Sequence, residues 1–341
     1  MNGRFSDRTG ADGHEGAMKK LLLIAALASS MGAAHDGVPH EAGLPKPTTD
    51  QIHVTAAAVQ RYKDFRVAER EGWKKFGGDE PLMGEHWHHP QGPDYQGSDA
   101  RLDFARPSNL MYTSVQGRRV LTGVTFNVRL GEGEAMPRGF AGTADRWHAH
   151  DMLRAIEAAL ADRPILRWLA NGWLKANYFD KGDNRGRLAM IHVWVGVPNP
   201  DGIFADHNRT VPYLKMGLPV SYAGAMNAAH GIDMATPNGC RELIDGRAWI
   251  ANLSSRTSKT LRAVCDREAA TVKASLTQPA RQLNAVAAAS YGRFVEAWDA
   301  ALTPEQHARV DAITEHGGHD AHAAHGVATP PAKPHAHRHG D

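Results

Sequence analysis

Residues 119–130 read Arg-Val-Leu-Thr-Gly-Val-Thr-Phe-Asn-Val-Arg-Leu, and residues 188–197 read Leu-Ala-Met-Ile-His-Val-Trp-Val-Gly-Val. In the first stretch, branched and aromatic side chains alternate with other residues, which is typical of a β-strand. The stretch 110–115 precedes it, and Gln116-Gly117 can turn the two into a hairpin. These segments predict an antiparallel sheet.

The stretch 188–197 has two different faces, because side chains alternate across a strand. One face is wholly aliphatic and predicts contact with the core: Ala189, Ile191, Val193, Val195 and Val197. The other face carries Leu188, Met190, His192 and Trp194. It is also largely apolar, so we expect His192 to be half-buried and to need a partner. That partner is either a metal ion or an ordinary carbonyl or carboxylate.

Helical patterns surround these strands. Helical spacing predicts a helix over 54–76, ended by Gly77-Gly78. Residues 152–160 and 164–176 are also predicted helices, and the alanine-rich stretch 255–300 predicts one or two more. Thr303 and Gln306 have the spacing of a capping box at the start of a helix that runs to about Glu315.

The predicted fold class is α+β, with a small antiparallel sheet or open barrel packed against helices, a C-terminal helical section and a disordered tail. We expect the chain to divide into five parts. They are a signal peptide (1–34, with Met18 as an alternative start), an extended arm (35–52), an α+β core domain with the histidine clusters (53–220), a mostly helical C-terminal section (221–315) and a disordered histidine-rich tail (316–341).

Composition excludes several functional classes. The chain has 341 residues, and 39 Lys and Arg nearly balance 37 Asp and Glu. A net charge of +2 with histidine neutral argues against a nucleic-acid-binding protein, which needs a basic surplus. Two cysteines exclude a four-cysteine zinc module. No P-loop, Gly-x-Ser-x-Gly or His-Glu-x-x-His motif occurs. The unusual component is histidine, with 20 residues.

The N-terminal residues predict export. Met18-Lys19-Lys20 precedes a short apolar run, 21–28, and small residues up to Ala34, the pattern of a secretory signal peptide. The run is too short to span a bilayer. We therefore expect a periplasmic or secreted protein with no membrane span after signal cleavage. Export permits a disulfide between Cys240 and Cys265, and two free thiols are the alternative.

Clusters of histidine are the sequence feature that indicates a metal site. Two His-x-His pairs, in 85–89 and 147–151, each put two imidazoles on one side of an extended chain. Neutral imidazole is the commonest protein ligand of zinc and copper, and a site takes three or four ligands. An exposed polar loop, polar residues before a helix and a hydrogen-bonded core histidine are the ordinary alternatives. The predicted structured ligands are His86, His88, His148, His150, His192 and His207.

The C-terminal tail contains a second set of candidate metal ligands, which are dispersed along the chain. Residues 316–341 are rich in Gly, Ala and Pro, so we expect them to be disordered. Dispersed histidines in such a sequence capture metal ions weakly, and a solvated spacer is the alternative. The tail histidines are His316, His319, His322, His325, His335, His337 and His339.

Three strings resemble a family of uncharacterised exported bacterial proteins. They are Met83-Gly84-Glu85-His86-Trp87, the segment 103–112 (Asp-Phe-Ala-Arg-Pro-Ser-Asn-Leu-Met-Tyr), and His192-Val193-Trp194 leading to Pro198-Asn199-Pro200-Asp201-Gly202. The resemblance covers about residues 55–215. It adds weight to His86 and His192 as a pair of candidate ligands, and it implies no known activity.

The leading hypothesis is an exported protein that binds a transition-metal ion, copper or zinc, at a structured histidine site with a capture tail. A metal-dependent oxidase or hydrolase, with Asp151 or Asp206 as general base, is the second. Carboxylates that can orient ligands are Glu85, Asp145, Asp151, Asp201 and Asp206. The third hypothesis is a metal-free binding module whose pocket is lined by Trp147, Trp168, Trp173, Trp194 and Tyr178.

Overall fold

The computed structural model describes residues 43–131, 133–151, 157, 160, 163–177, 186–311 and 314–316. The predicted signal peptide, the start of the predicted arm, most of 152–160 and the tail after His316 lie outside these residues. The fold class is α+β, as predicted, because an antiparallel sheet curls into a half-barrel and packs against helices. None of the described helices is long and apolar enough to cross a membrane.

Eight strands of the described chain form one sheet. Its order is β1-β2-β4-β5-β7-β6-β8, every neighbouring pair is antiparallel, and short β3 pairs in parallel with β5. The strands are β1 (Lys74–Glu80), β2 (Gly84–His88), β3 (Tyr95–Gln96), β4 (Asn109–Val115), β5 (Arg118–Leu130), β6 (His148–Asp151), β7 (Arg187–Val193) and β8 (Thr314–His316).

The predicted β4–β5 hairpin is confirmed. Val115 and Arg118 are paired, and Gln116 and Gly117 both have positive φ, 50° and 78°. Two central residues with positive φ match the right-handed twist of the flanking strands, which explains why glycine stands in this turn. β5 then has β4 on one side and β7 on the other, so it is the central strand of the sheet.

The main core lies on one face of this sheet. Val124, Phe126 and Val128 of β5 and Ile191 of β7 are fully buried there, and Ile52 packs on them from the first helix. Each fully buried side chain of this size contributes about 1.5–3 kcal/mol relative to exposure. The opposite face of β7 carries His192, so the two-faced pattern of this strand is also confirmed.

Nine α-helices lie in the described part of the chain. They are α1 (Lys46–Val59), α2 (Phe65–Arg70), α3 (Pro164–Asn177), α4 (Val211–Lys215), α5 (Met226–Met234), α6 (Gly239–Ile250), α7 (Ser255–Ala274), α8 (Ala280–Ala301) and α9 (Pro304–Asp311). Helices were predicted at α3, at α7 with α8, and at α9. The reciprocal hydrogen bonds of Thr303 and Gln306 form the predicted capping box.

The helix predicted over 54–76 differs from the structure. α1 continues into a 3₁₀ turn, Gln60–Lys63, and ends because Asp64 is extended and caps α2 instead. Gly72, with φ of 89°, turns the chain, and β1 then includes Gly77-Gly78. The arm prediction is wrong from Lys46 onward, because Pro47 in the first turn suits a helix.

Three further boundaries differ. The last helix ends at Asp311, where it was predicted to run to about Glu315, and Glu315 lies in β8. The strand predicted to reach residue 197 ends at Val193. Beyond it, the amides of Gly196 and Val197 both donate to the carbonyl of Thr122 and no longer follow the regular pairing of β7 with β5. Residues 148–151 form strand β6, where polar residues before a helix were the alternative prediction. Pairing with β7 explains the difference, because it places Ala149 in the main core.

The helical section is held by a disulfide. Cys240 of α6 and Cys265 of α7 are bonded, with Cα atoms 5.7 Å apart, so the predicted pair is confirmed. In the chain-entropy account, closing a loop of this length stabilises the fold by about 3 kcal/mol.

A buried ionic cluster joins the sheet to the helices. The ammonium of Lys215, on α4, lies 2.8 Å from a carboxylate oxygen of Asp79 on β1 and 3.4 Å from one of Asp233 on α5. Glu242 of α6 faces the same group. The pKa of Glu242 is raised to about 7, mainly by burial; the charges of Asp79 and Asp233 also raise it, and that of Lys215 lowers it.

The raised pKa of Glu242 predicts a pH dependence of stability. Because the folded-state pKa lies above the unfolded value of about 4.3, the folded chain binds the proton more tightly. This stabilisation is complete below pH 4 and is lost as the pH rises through 7. We therefore expect Glu242→Gln, which keeps the neutral form, to raise the melting temperature relative to wild type more at pH 8 than at pH 5.

The matched control for this experiment is Glu296→Gln, an exposed position on α8. Its melting temperature should differ from wild type by the same amount at both pH values. An equal effect of Glu242→Gln at pH 5 and pH 8 would contradict the assignment.

Candidate metal centre

His192 is completely buried in the sheet. Neither of its ring nitrogens has a hydrogen-bond partner among the described residues. A buried polar group left unsatisfied costs about 1–3 kcal/mol. The surrounding protein atoms do not offset this cost. A metal ion bound to the imidazole would remove part of it.

Two other strands of the sheet bring imidazoles close to His192. The ring of His148, from β6, is stacked beside it with centroids 5.2 Å apart. The ring of His86, from β2, is 5.8 Å away at its centroid. Both residues are buried, and Nε2 of His86 has no hydrogen-bond partner among the described residues. We call the side of the sheet that carries these three residues the histidine face.

Curvature of the sheet explains how His86 and His192 meet. Their strands, β2 and β7, are separated by β4 and β5. In a flat sheet this arrangement would put the two strands about 14 Å apart, at about 4.8 Å per strand. Rings whose centroids are 5.8 Å apart therefore require the sheet to curl toward the histidine face.

The segment 194–208, which follows β7, covers the histidine face. Trp194 stacks on His192 with ring centroids 5.8 Å apart, and its indole N–H donates to the carbonyl of Ala205 at 2.6 Å. A side chain at Gly123 would come within 2.6 Å of the Val193 carbonyl, so glycine lets the chain pass closely over β5. These contacts fix the position of Asp206.

Asp206 completes a group of three ligand side chains. Its Oδ1 atom lies 3.2 Å from Nδ1 of His148. One ligand atom from each of His148, His192 and Asp206 lies within 4.8 Å of the other two. Two residues of the group are buried, and Asp206 is partly exposed, so the cluster lies at the edge of the buried volume.

Burial favours the neutral form of two of the imidazoles, those of His192 and His86. It lowers the pKa of His192 well below the usual value, and the positive charges of neighbouring imidazoles lower it further. The pKa of His86 is lowered mainly by the same desolvation. Neutral imidazole is the form that coordinates a metal ion, so the environment favours coordination over protonation.

The donor set fits a transition-metal ion. Ligands about 2.0–2.1 Å from zinc lie about 3–4 Å from one another, so closing the group of three around an ion requires movements of about 1 Å. Two imidazoles and one carboxylate are a set used for zinc and for other first-row metals, with a position left open for water or substrate. The arrangement can therefore bind an ion and expose it to a small ligand.

The remaining predicted histidines are placed differently. His150 lies beside His148, with ring centroids 5.0 Å apart. His207 lies in the covering segment, and the charges of both His150 and His207 lower the pKa of His192. His88 is the last residue of β2. Its ring lies against that of Phe76, with centroids 6.0 Å apart, and it makes no ring contact with His86, His148 or His192 among those described.

Of the tail predicted to be disordered, only His316 lies within the described residues, and it belongs to a strand. His316 ends β8, where its backbone is paired opposite His148. The other predicted tail ligands lie outside the described residues: His319, His322, His325, His335, His337 and His339.

Asp206 differs from the other predicted carboxylates in its contacts. Glu85 is bound by Lys75, Arg119 and the indole of Trp87. The other positions are as follows: Asp145 accepts from the amide of Phe140, Asp201 pairs with Arg209, and Asp151 is paired opposite Arg187 in the sheet. The sequence presented Asp206 as an orienting group or general base, whereas the structure makes it a candidate ligand.

Sequence patterns gave no signal for His230. This buried residue of α5 has its ring 6.4 Å from that of His207 and stacked on Tyr291 of α8, at 4.6 Å. Neither contact follows from local spacing, because helix packing brings these three residues together from distant parts of the chain.

The aromatic residues predicted to line a pocket are dispersed. Trp147 belongs to the main core, Trp194 covers the histidine face, and Trp168 on α3 is 74% exposed. The side chain of Trp173 and all of Tyr178 lie outside the described part of the structure.

The partnerless imidazole predicts an unusual effect of substitution. We expect His192→Leu to leave the metal-free protein as stable as wild type or more stable by about 1–2 kcal/mol, because it removes an unsatisfied polar group. Added zinc or copper should stabilise the wild type and not the variant, as measured by urea unfolding. A variant that is much less stable without metal would instead indicate an ordinary hydrogen-bonded core histidine.

No family model matches this chain, and no curated protein or solved structure matches it either.

Proposed function

We propose that this protein binds one transition-metal ion, copper or zinc, through His148, His192 and Asp206, with His86 as a further ligand. The observation that carries the proposal is the convergence of His148 and Asp206 on the imidazole of His192, which is fully buried and has no hydrogen-bond partner among the described residues. Three imidazoles from three strands and a carboxylate from the covering segment then supply four donors.

The surroundings of the group support tight binding. His148 and His192 are held by strands on both sides, and Asp206 is held by the contacts of Trp194. A preorganised set of ligands loses little freedom when an ion binds. The low exposure of the imidazoles also reduces competition from water, so a bound ion is expected to leave slowly.

The types of ligand restrict which metal ion is expected to bind. Imidazole nitrogen and carboxylate oxygen suit zinc(II) and copper(II), and copper(II) binds more tightly to a given set of such ligands. Zinc accepts the four-coordinate arrangement without electronic cost. Both ions are therefore tested side by side.

Export and metal capture belong to the same proposal. The disulfide between Cys240 and Cys265 supports an oxidising compartment, which agrees with the signal-like residues 18–34. We propose that the protein works in the periplasm or outside the cell, and that the histidine-rich tail increases the capture of scarce metal ions.

The experiment uses the full chain with its six histidines after His316 replaced by serine, which silences the tail and keeps β8. Purified without an affinity tag, this protein should hold about one copper or zinc ion per chain by elemental analysis. His148→Ala, His192→Ala and Asp206→Asn should each weaken binding by at least about 100-fold in isothermal titration.

His88→Ala is the matched control, because His88 is a histidine of β2 outside the ligand group. It should bind metal as the parent does. Equal binding by the His192→Ala and parent proteins would contradict the proposed site.

A metal-dependent enzyme is the second candidate. It is favoured by the group of two histidines and one aspartate, since three protein ligands leave a coordination position open. A bound ion would supply a Lewis acid there. His150, whose ring lies 5.0 Å from that of His148, would be the group to accept or donate a proton near the ion. Turnover of ester or phenol substrates that depends on added metal and on His192 would favour this candidate over simple binding.

A further inference from the structure

Helix α3 presents large apolar side chains to solvent. Four of them, in its first two turns, are exposed: Ile165 (73%), Leu166 (48%), Trp168 (74%) and Leu169 (53%). Because successive residues of an α-helix are rotated by about 100°, these positions fall within an arc of about 160° on one side of the helix. We call this side of α3 the apolar face.

The orientation of α3 is the reverse of the usual one at a protein surface. The opposite side of the helix carries Arg167, Ala170 and Asn171, and each of these residues is only partly exposed. An amphipathic helix of a soluble protein ordinarily turns its apolar stripe to the core and its charged residues to water. In α3 the apolar face points outward, so packing against the described part of the chain does not explain it.

The charged residues of this segment are all basic. Residues 163–177 contain Arg163, Arg167 and Lys175 and no Asp or Glu. Arg163, which directly precedes the helix, is exposed. Basic residues combined with an apolar face that carries tryptophan are typical of helices that lie in the interface of a membrane with anionic lipids. Negative lipid headgroups attract such a helix, and its apolar side chains then leave water.

We propose that α3 binds the surface of a bilayer that contains anionic phospholipids. Ile165, Trp168 and Leu169 enter the boundary between headgroups and acyl chains, and the guanidinium groups of Arg163 and Arg167 reach the phosphates. The helix has 14 residues and is about 21 Å long, which suits reversible attachment in the plane of the interface. This attachment does not depend on the metal site.

A second copy of the chain fits the apolar face less well than a membrane does. Two copies of α3 in contact would bring their basic residues together, and like charges repel each other. An anionic bilayer instead supplies negative charge and an apolar layer at the same surface, so it matches both properties of the helix.

The test measures how the full chain partitions onto vesicles of phosphatidylcholine, with and without phosphatidylglycerol, in a flotation assay. We expect at least about tenfold stronger partitioning onto the vesicles that contain phosphatidylglycerol, because each basic residue near an anionic surface strengthens binding by about fivefold. High salt should remove most of this difference, since it screens the attraction between charges.

Substitutions separate the two contributions to binding. Ile165→Ser combined with Trp168→Ser should weaken partitioning onto the anionic vesicles by at least about tenfold, because it removes side chains that enter the interface. Arg163→Gln combined with Arg167→Gln should remove most of the preference for the anionic lipid. Trp249→Ser is the matched control, because Trp249 is a half-exposed tryptophan on α6. It should bind as the wild type does.

Absence of partitioning onto either kind of vesicle would overturn the proposal, as would equal partitioning by the wild type and the Ile165→Ser, Trp168→Ser variant. A melting temperature several degrees lower in that variant than in Trp249→Ser would show that another part of the chain covers the apolar face. A wild-type dimer that becomes a monomer in the same variant, as measured by light scattering, would assign the face to a second copy. Both results would also contradict membrane binding by α3.

Discussion

The fully buried imidazole of His192 is the constraint on which the rest of the structure depends. Its strand must place Ile191 in the main core and His192 on the opposite side, so both faces of β7 are covered. Covering the second face requires the segment 194–208, whose Trp194 stacks on the ring. The curl of the sheet then brings His86 and His148 to the same place. An apolar residue at 192 would leave no ring nitrogen unsatisfied, so a histidine at this position fits the proposed role as a metal ligand.

The covering segment also connects the site to the helical section. His207 follows the candidate ligand Asp206 and meets His230 of α5, which stacks on Tyr291 of α8. Close by in the chain, α4 carries Lys215, whose ammonium is held between Asp79 of the sheet and Asp233 of α5. The position of Asp206 therefore depends on packing between the sheet and the helices, which gives the second section of the chain a structural role in the site.

Local patterns predicted the parts of this structure that local physics determines. Alternation predicted β4, β5 and the two faces of β7, and helical spacing predicted α3, α7 and α8. It missed the break at Asp64 and misassigned 71–76, because Asp64 and Gly72 interrupt an apparently continuous apolar series. The sequence also indicated His86, His148 and His192 as ligands. It gave no basis for separating His88 from them, or for making Asp206 a ligand, because both depend on the curl of the sheet and the path of the covering segment.

The central claim is that an ion binds on the histidine face of the sheet. X-ray absorption spectroscopy of the tail-silenced protein loaded with one equivalent of zinc tests it most directly. The account predicts at least two imidazole nitrogens and one carboxylate oxygen, all about 2.0–2.2 Å from the ion, and the loss of one imidazole in the His148→Ala protein. A spectrum of hydrated zinc, or one unchanged by that substitution, would contradict it.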